Sequence, residues 1–190
     1  MTQTPFNNVN KKFSYLSHKV ARKEIYSRFL SSNKLEYDYV ANSDKDYCKM
    51  LDRKMSIDAV IKNDFKNDKI SLTAQERFRK KRYKKYNDIT LTLWSEKSNK
   101  KSELYKIKSQ IFVYGITNGE IIGKEEKRKI KTKPTTFLKA AVIDVTKLIS
   151  GLIHNDIEGS VRHNRRSNQK FIAFDFADLH NINSVLWQQW

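Results

Sequence analysis

Cysteine occurs once in the 190 residues, at Cys48, so the chain can close no internal disulfide and build no cysteine-based zinc site. Glycine occurs five times and proline twice, and neither the dinucleotide fingerprint nor the Walker phosphate loop can be assembled from them. A Gly-x-Ser-x-Gly nucleophile elbow is missing too. The four histidines, His18, His154, His163 and His180, fall at no metal-ligand spacing. No apolar run reaches the roughly 18 residues of a spanning helix, and the N-terminus lacks the basic-then-apolar order of a secretion signal. An intracellular protein with no membrane segment is therefore expected. Acid is scarce as well: 21 Asp and Glu face 38 Lys and Arg, leaving a net charge of +17 and a pI near 9.8. Such an excess repels itself in a compact state, which makes a polyanion the expected partner, nucleic acid ahead of an anionic membrane surface.

What is present suffices for one domain. With 38% hydrophobic and 12% aromatic residues over this length, the chain can bury a single core spanning about residues 14–180 of a 1–190 domain. Three runs read as strands. Ser56 to Ile61 is β-branched and apolar but for Asp58, an unusual place for a charge. After a turn over 63–68, Ile70 to Arg79 alternates apolar and polar with period two, so Asp58 and the pair Gln75 and Glu76 fall on adjacent hairpin strands. Asp88 to Trp94 alternates likewise and is expected to extend the same sheet.

Before these strands, Leu16, Val20, Ala21, Ile25 and Phe29 gather on one face of a helix over 14–31, with Ser14 as its cap. Glu24 lies at the edge of that stripe. It is either a solvated helix carboxylate paired with Arg28 or an accessory ligand beside the sheet's carboxylates. A loop and a short helix over 47–53 follow. Residues 102–116 fit a helix capped by Ser102, with Gln110 and Tyr114 one turn apart; a strand over 111–117 competes with it. Phe137 to Val145 reads as a strand that turns at Asp144 into an apolar helix, 147–153. Phe171 to Phe176 reads as a last strand and 177–187 as a terminal helix. The fold class is α/β, a central mixed sheet flanked by helices.

Arg77 to Lys85 holds Arg79, Lys80, Lys81, Arg82, Lys84 and Lys85 around Phe78 and Tyr83. Such a run is either a solvated face or a nucleic-acid surface in which cations neutralise phosphates and aromatic faces stack on unpaired bases. Two further basic clusters, 124–133 and Arg162, Arg165 and Arg166, could frame a groove with it. The oxygen donors Asp58, Gln75 and Glu76 suit a hard cation such as Mg²⁺ (or Mn²⁺).

These residues resemble the PD-(D/E)XK nuclease superfamily: Asp58 on one strand, then Gln75-Glu76-Arg77 on the next. Gln110-Ile-Phe-Val-Tyr114 is similar to the Gln-x-x-x-Tyr motif of its RecB-like members, carried on the helix after the core strands. The resemblance covers most of the chain. It implies a restriction-endonuclease-like core, Mg²⁺-dependent hydrolysis of nucleic acid with DNA ahead of RNA, metal held by Asp58 with Gln75 or Glu76, support from Glu24, and contact or bracing by Gln110 and Tyr114. Two positions depart from the pattern: an amide or Glu76 stands at the acidic position, and Arg77 or Phe78 at the lysine. In the alternation Gln75 and Arg77 share a face while Glu76 sides with Leu72, Ala74 and Phe78, which favours Gln75-x-Arg77. A non-cleaving nucleic-acid binder of the same fold is the alternative reading, and an unrelated basic α/β protein the third.

Overall fold

The computed structural model describes residues 5–31, 35–40, 45–65, 68–95, 100–101, 103–123, 127–164 and 168–190. Arg165, Arg166, Ser102 and the start of the 124–133 cluster lie outside them. Helix α1 (Pro5–Ala21) passes into a π-helical turn, Arg22–Tyr26, and a last short turn α2 (Ser27–Phe29). The helix therefore begins earlier than the sequence suggests. Strand β1 (Leu35–Tyr39) and helix α3 (Asp46–Met55) follow, and Ser56 closes α3 in the left-handed conformation at φ 49°.

The hairpin β2 (Ala59–Phe65) and β3 (Asp68–Arg79) pairs Ala59 with Ala74. A 3₁₀ turn, Lys81–Tyr83, leads to β4 (Asp88–Ser95), then β5 (Lys100–Lys101) and the single turn α4 (Glu103–Lys106). Next come β6 (Ile111–Thr117), β7 (Glu120–Ile122), β8 (Lys129–Thr132) and β9 (Phe137–Asp144). The C-terminal part runs α5 (Val145–His154), β10 (Ser160–Asn164), β11 (Gln169–Asp175), α6 (Phe176–Asn181) and β12 (Val185–Gln189). Asp144 caps α5 by accepting from the Lys147 N–H, and Asp175 caps α6 through Ala177.

The fold is α/β around a mixed six-stranded sheet ordered β1-β2-β3-β6-β9-β12, in which β3 and β6 run parallel and the other neighbours antiparallel. Alternation along its central strands divides two cores. Ile111, Val113, Ala140 and Val142 pack with Ala21, Ile25 and Tyr26 of the first helix. Phe112, Tyr114, Ile116, Ala141 and Ile143 pack with Ile89 and Leu91 of β4, Ile172 and Phe174 of β11, and Leu148 and Leu179.

Three expectations are corrected. Strand β4 does not extend the sheet of β2 and β3; it belongs to a second, four-stranded sheet, β10-β11-β4-β5. Residues 111–117 form a strand buried along its whole length. A central strand covered on both faces reads as an unbroken apolar run, whose three- and four-residue coincidences mimic a helix. The C-terminal segment is a six-residue helix and an edge strand rather than one helix. Among the described residues no helix is long and apolar enough to cross a membrane.

Candidate functional site

Asp58 sits one residue before β2, fixed at both ends of its peptide: its N–H donates to Ala74 O at 2.8 Å and its carbonyl accepts from Val40 N–H at 2.8 Å. That anchoring, with the Ala59–Ala74 register, brings its carboxyl to Gln75. Asp58 Oδ2 accepts from Gln75 Nε2 and from the Glu76 N–H, both at 2.7 Å. Gln75 Nε2 also donates to Glu103 Oε1 at 3.2 Å. Glu103 Oε2 in turn accepts from Arg77 Nη2 at 2.5 Å and from the Thr92 N–H at 2.8 Å. Arg77 completes the chain through Thr92 Oγ1 at 2.7 Å and Thr90 Oγ1 at 3.4 Å. Asp58 and Gln75 are each 8% exposed, whereas the Arg77 side chain is 27% exposed. The cluster opens to solvent on its guanidinium side.

Glu103 is the residue that sequence reading missed. It lies at the start of a segment read as a helix, where an acidic residue complements the helix dipole and needs no other explanation. Thr90 and Thr92 were hidden in the same way, as the polar half of an alternating strand.

Burial is the first cause that raises the Asp58 carboxyl above its ordinary range; the neighbouring Glu76 carboxyl adds to it, and the Glu76 N–H partly opposes it. Asp52 and Glu103 push the same way. Two carboxylates and one amide in a site with surplus negative charge suit a hard, oxygen-seeking cation. Here Gln75 turns its nitrogen to both carboxylates; a half-turn of the amide would present its oxygen instead. Among the described residues no group of three or more His, Cys, Asp or Glu side chains converges as a metal site.

Glu76 faces the other way. Its carboxyl accepts from the hydroxyls of Tyr26 and Tyr37 and meets His18 Nδ1, entirely buried against α1. Tyr39 and Phe78 flank the His18 ring at 4.4 and 5.1 Å between centroids. Burial first, and then Glu76, hold both Tyr26 and Tyr37 well above the ordinary tyrosine value. As the alternation indicated, Gln75 rather than Glu76 shares a face with Arg77. Glu76 reaches Asp58 only through its backbone. The sequence Ser14, His18, Glu76 is hydrogen-bonded in the order of a hydrolytic triad, with Ser14 Oγ 3.0 Å from His18 Nε2. Ser14 nevertheless lies inside α1, where backbone N–H groups are engaged in the helix ladder and cannot form an oxyanion hole.

No protein family, curated protein or solved structure matches the chain.

The other expected site residues lie elsewhere. Glu24 binds the start of β9, accepting from Thr136 Oγ1 at 3.0 Å and the Phe137 N–H at 2.8 Å. Because Phe137 pairs with Thr117 while Ile111 pairs with Ala74, this is six strand residues, about 20 Å, from Asp58. Glu24 is thus neither the partner of Arg28 nor a neighbour of the Asp58 cluster. Gln110 precedes β6 and ties it to β3: its side-chain oxygen accepts from the Thr73 N–H at 3.0 Å. Tyr114 is buried in the second core, with its hydroxyl 3.5 Å from Arg79 Nη1. The two are on a strand and its entry, not on a helix.

The basic clusters converge. Lys81, Lys84 and Lys85 are exposed beside a 630 Å³ depression that Glu120 and Arg82 also line. Arg82 is held there by Glu120, Nε to Oε1 at 2.9 Å. Lys80 is shifted below the ordinary lysine value, by burial first and then by Arg82 and Arg128. Strand β8, paired to β7, places part of the second cluster alongside. Arg162 joins from β10 through Asp88, Nη1 to Oδ2 at 2.7 Å. Phe78, expected as a stacking platform, is turned toward the first core against Phe137; Tyr83 is turned toward the cations.

Proposed function

We propose that the protein is a metal-dependent nuclease that hydrolyses phosphodiester bonds of DNA. The observation that carries this reading is the convergence of Asp58, Gln75, Glu103 and Arg77, with Arg77 joined through Thr90 to a cleft that Arg79 and Arg162 line. Asp58, Glu103 and the Gln75 amide oxygen would hold Mg²⁺ or Mn²⁺. A cation so held would neutralise phosphate charge and acidify the water that attacks phosphorus. Arg77, anchored by Glu103 and the two threonines, would bind a phosphate oxygen and stabilise charge on it. An arginine keeps its proton at working pH, so it stabilises charge rather than carrying protons. The exposed lysines of the 80–85 turn would hold the flanking backbone.

The reading is tested by incubating labelled single- and double-stranded DNA with the protein in Mg²⁺, Mn²⁺ or EDTA. Cation-dependent cutting lost in both Asp58→Asn and Glu103→Gln is the expected result. One observation favours a second reading, a nucleic-acid binder that does not cut. The Gln75 amide bridges the two carboxylates, and Arg77 is paired with Glu103, so their hydrogen bonding is satisfied without a cation. The double change Gln75→Glu with Arg77→Lys separates the two. Silence from both wild type and double variant, with firm binding, favours the binder.

A further inference from the structure

Beside the Arg77 cluster, across Thr90, lies a 330 Å³ cleft walled by Arg79, Tyr83, Tyr86, Asp88, Arg162 and Phe171. Its composition is that of a nucleotide platform. The Arg79 guanidinium lies 4.0 Å over the Tyr83 ring, and the Tyr86 ring, 39% exposed, stands 6.3 Å from that ring at 35°. Arg162 reaches in from β10, its position set by Asp88, whose side chain is 8% exposed. One Asp88 oxygen takes the arginine; the other, Oδ1, is buried with no hydrogen-bond partner among the described residues. An isolated buried acceptor destabilises a fold, so this carboxylate serves to hold Arg162 rather than to stabilise the chain.

The size decides the ligand. A volume of 330 Å³ is at the lower end of small-molecule sites, the size of one base and its phosphate. Aromatic faces beside arginines are how sequence-tolerant proteins hold unpaired strands. Building on the nuclease reading, the geometry points to a single unpaired nucleotide of a DNA strand in this cleft, its base on Tyr86 and on the Arg79 guanidinium that covers Tyr83, and its phosphate on Arg162. The substrate is then single-stranded or frayed DNA, and the adjoining phosphate is delivered past Thr90 to Arg77.

Fluorescence anisotropy in EDTA tests this with three probes: a labelled single-stranded dodecamer, the same sequence as a blunt duplex, and free deoxyguanosine monophosphate as competitor. Wild type binds the single strand more tightly than the duplex. Tyr86→Ala and Arg162→Gln each weaken the single strand roughly tenfold and the duplex less than about twofold, while Tyr86→Phe binds as wild type. Asp88→Asn weakens the single strand in the same way and adds nothing to Arg162→Gln. Because Tyr86 is on the surface, the melting curves of its variants should match wild type; Arg162→Gln leaves the buried Asp88 carboxylate without its cation and should melt lower, so the Tyr86 variants carry the test if it does not fold. Equal losses on both DNAs, or no loss on either, would overturn the cleft. Displacement of the dodecamer by mononucleotide at equal nucleotide concentration would overturn its assignment to a strand. Single-strand preference through Tyr86 without cutting in any cation supports the cleft and removes the nuclease reading. Cutting that is indifferent to Tyr86→Ala and Arg162→Gln removes the cleft and leaves that reading.

Discussion

Replacing Glu76 by alanine should be among the most damaging single changes in the chain, for a reason unrelated to chemistry at the cluster. The side chain is completely buried and partners three groups from other elements: the hydroxyls of Tyr26 and Tyr37 and the ring of His18. Removing it orphans all three, each at about 1–3 kcal/mol, and water entering the space recovers part. A net loss of about 3–5 kcal/mol is expected, a large share of the ~5–15 kcal/mol that holds a domain together. At roughly 2–4 °C per kcal/mol for a chain of this length, the melting temperature should fall by about 6–20 °C. Glu76→Gln keeps the volume and one acceptor and should cost about 1–2 kcal/mol. Urea titration and thermal melts followed by circular dichroism read both variants. A loss below about 1 kcal/mol for Glu76→Ala, or an unchanged melt with abolished cutting for Glu76→Gln, would refute the argument and return Glu76 to the metal.

Four other outcomes are expected. Burial raises the Asp58 carboxyl above its ordinary value of 3.8, so its contribution to stability is complete below that pH and is lost as pH rises through the folded-state value. Asp58→Asn should therefore gain on wild type from pH 4 to 7, with Mg²⁺ narrowing the gap; parallel melting profiles would refute this. Tyr26 and Tyr37 are held unionised far above their ordinary value near 10, so their contribution is lost above about pH 10, and the double Phe variant should show a shallower alkaline decline in urea titrations. Gly115→Ala would drive a methyl into the Phe137 ring and should cost about 1–3 kcal/mol in the same titrations. Replacing the exposed Lys81, Lys84 and Lys85 by Gln should lower the salt slope of duplex binding by roughly 0.9 per lost phosphate contact; an unchanged slope would remove this turn from the interface.

The hairpin was legible because its period-two pattern has one correct phase: Ala74 and Phe78 demand a core, and Gln75 and Arg77 follow onto the other face. Asp144 announced the helix it caps, whereas the cap at Asp175 was hidden at the end of a strand. What stayed hidden had no local signature. Glu103 meets Gln75 and Arg77 only because the second sheet and α4 settle over β3, an arrangement carried by contacts distant in sequence. Phe112 and Tyr114 read equally well as helix or strand because both faces of β6 are covered. The partners of Glu76 come from three separate elements, and spacing says nothing of that. Strand β10 is exposed throughout and carries no apolar alternation from which it could be recognised.

The crossover between the parallel strands β3 and β6 contains β4 and α4, and β4 is itself held by β11, some eighty residues further on. Thr92 and Glu103 therefore reach Arg77 only when late-made chain has come back to dock. A polypeptide leaving the ribosome carries Asp58, Gln75 and Arg77 long before it can assemble them with their acidic partner. The cluster is thus completed only after β11 has been made, and shortening the chain before Gln169–Asp175 removes the strand that holds β4, leaving the hairpin without its counter-charge.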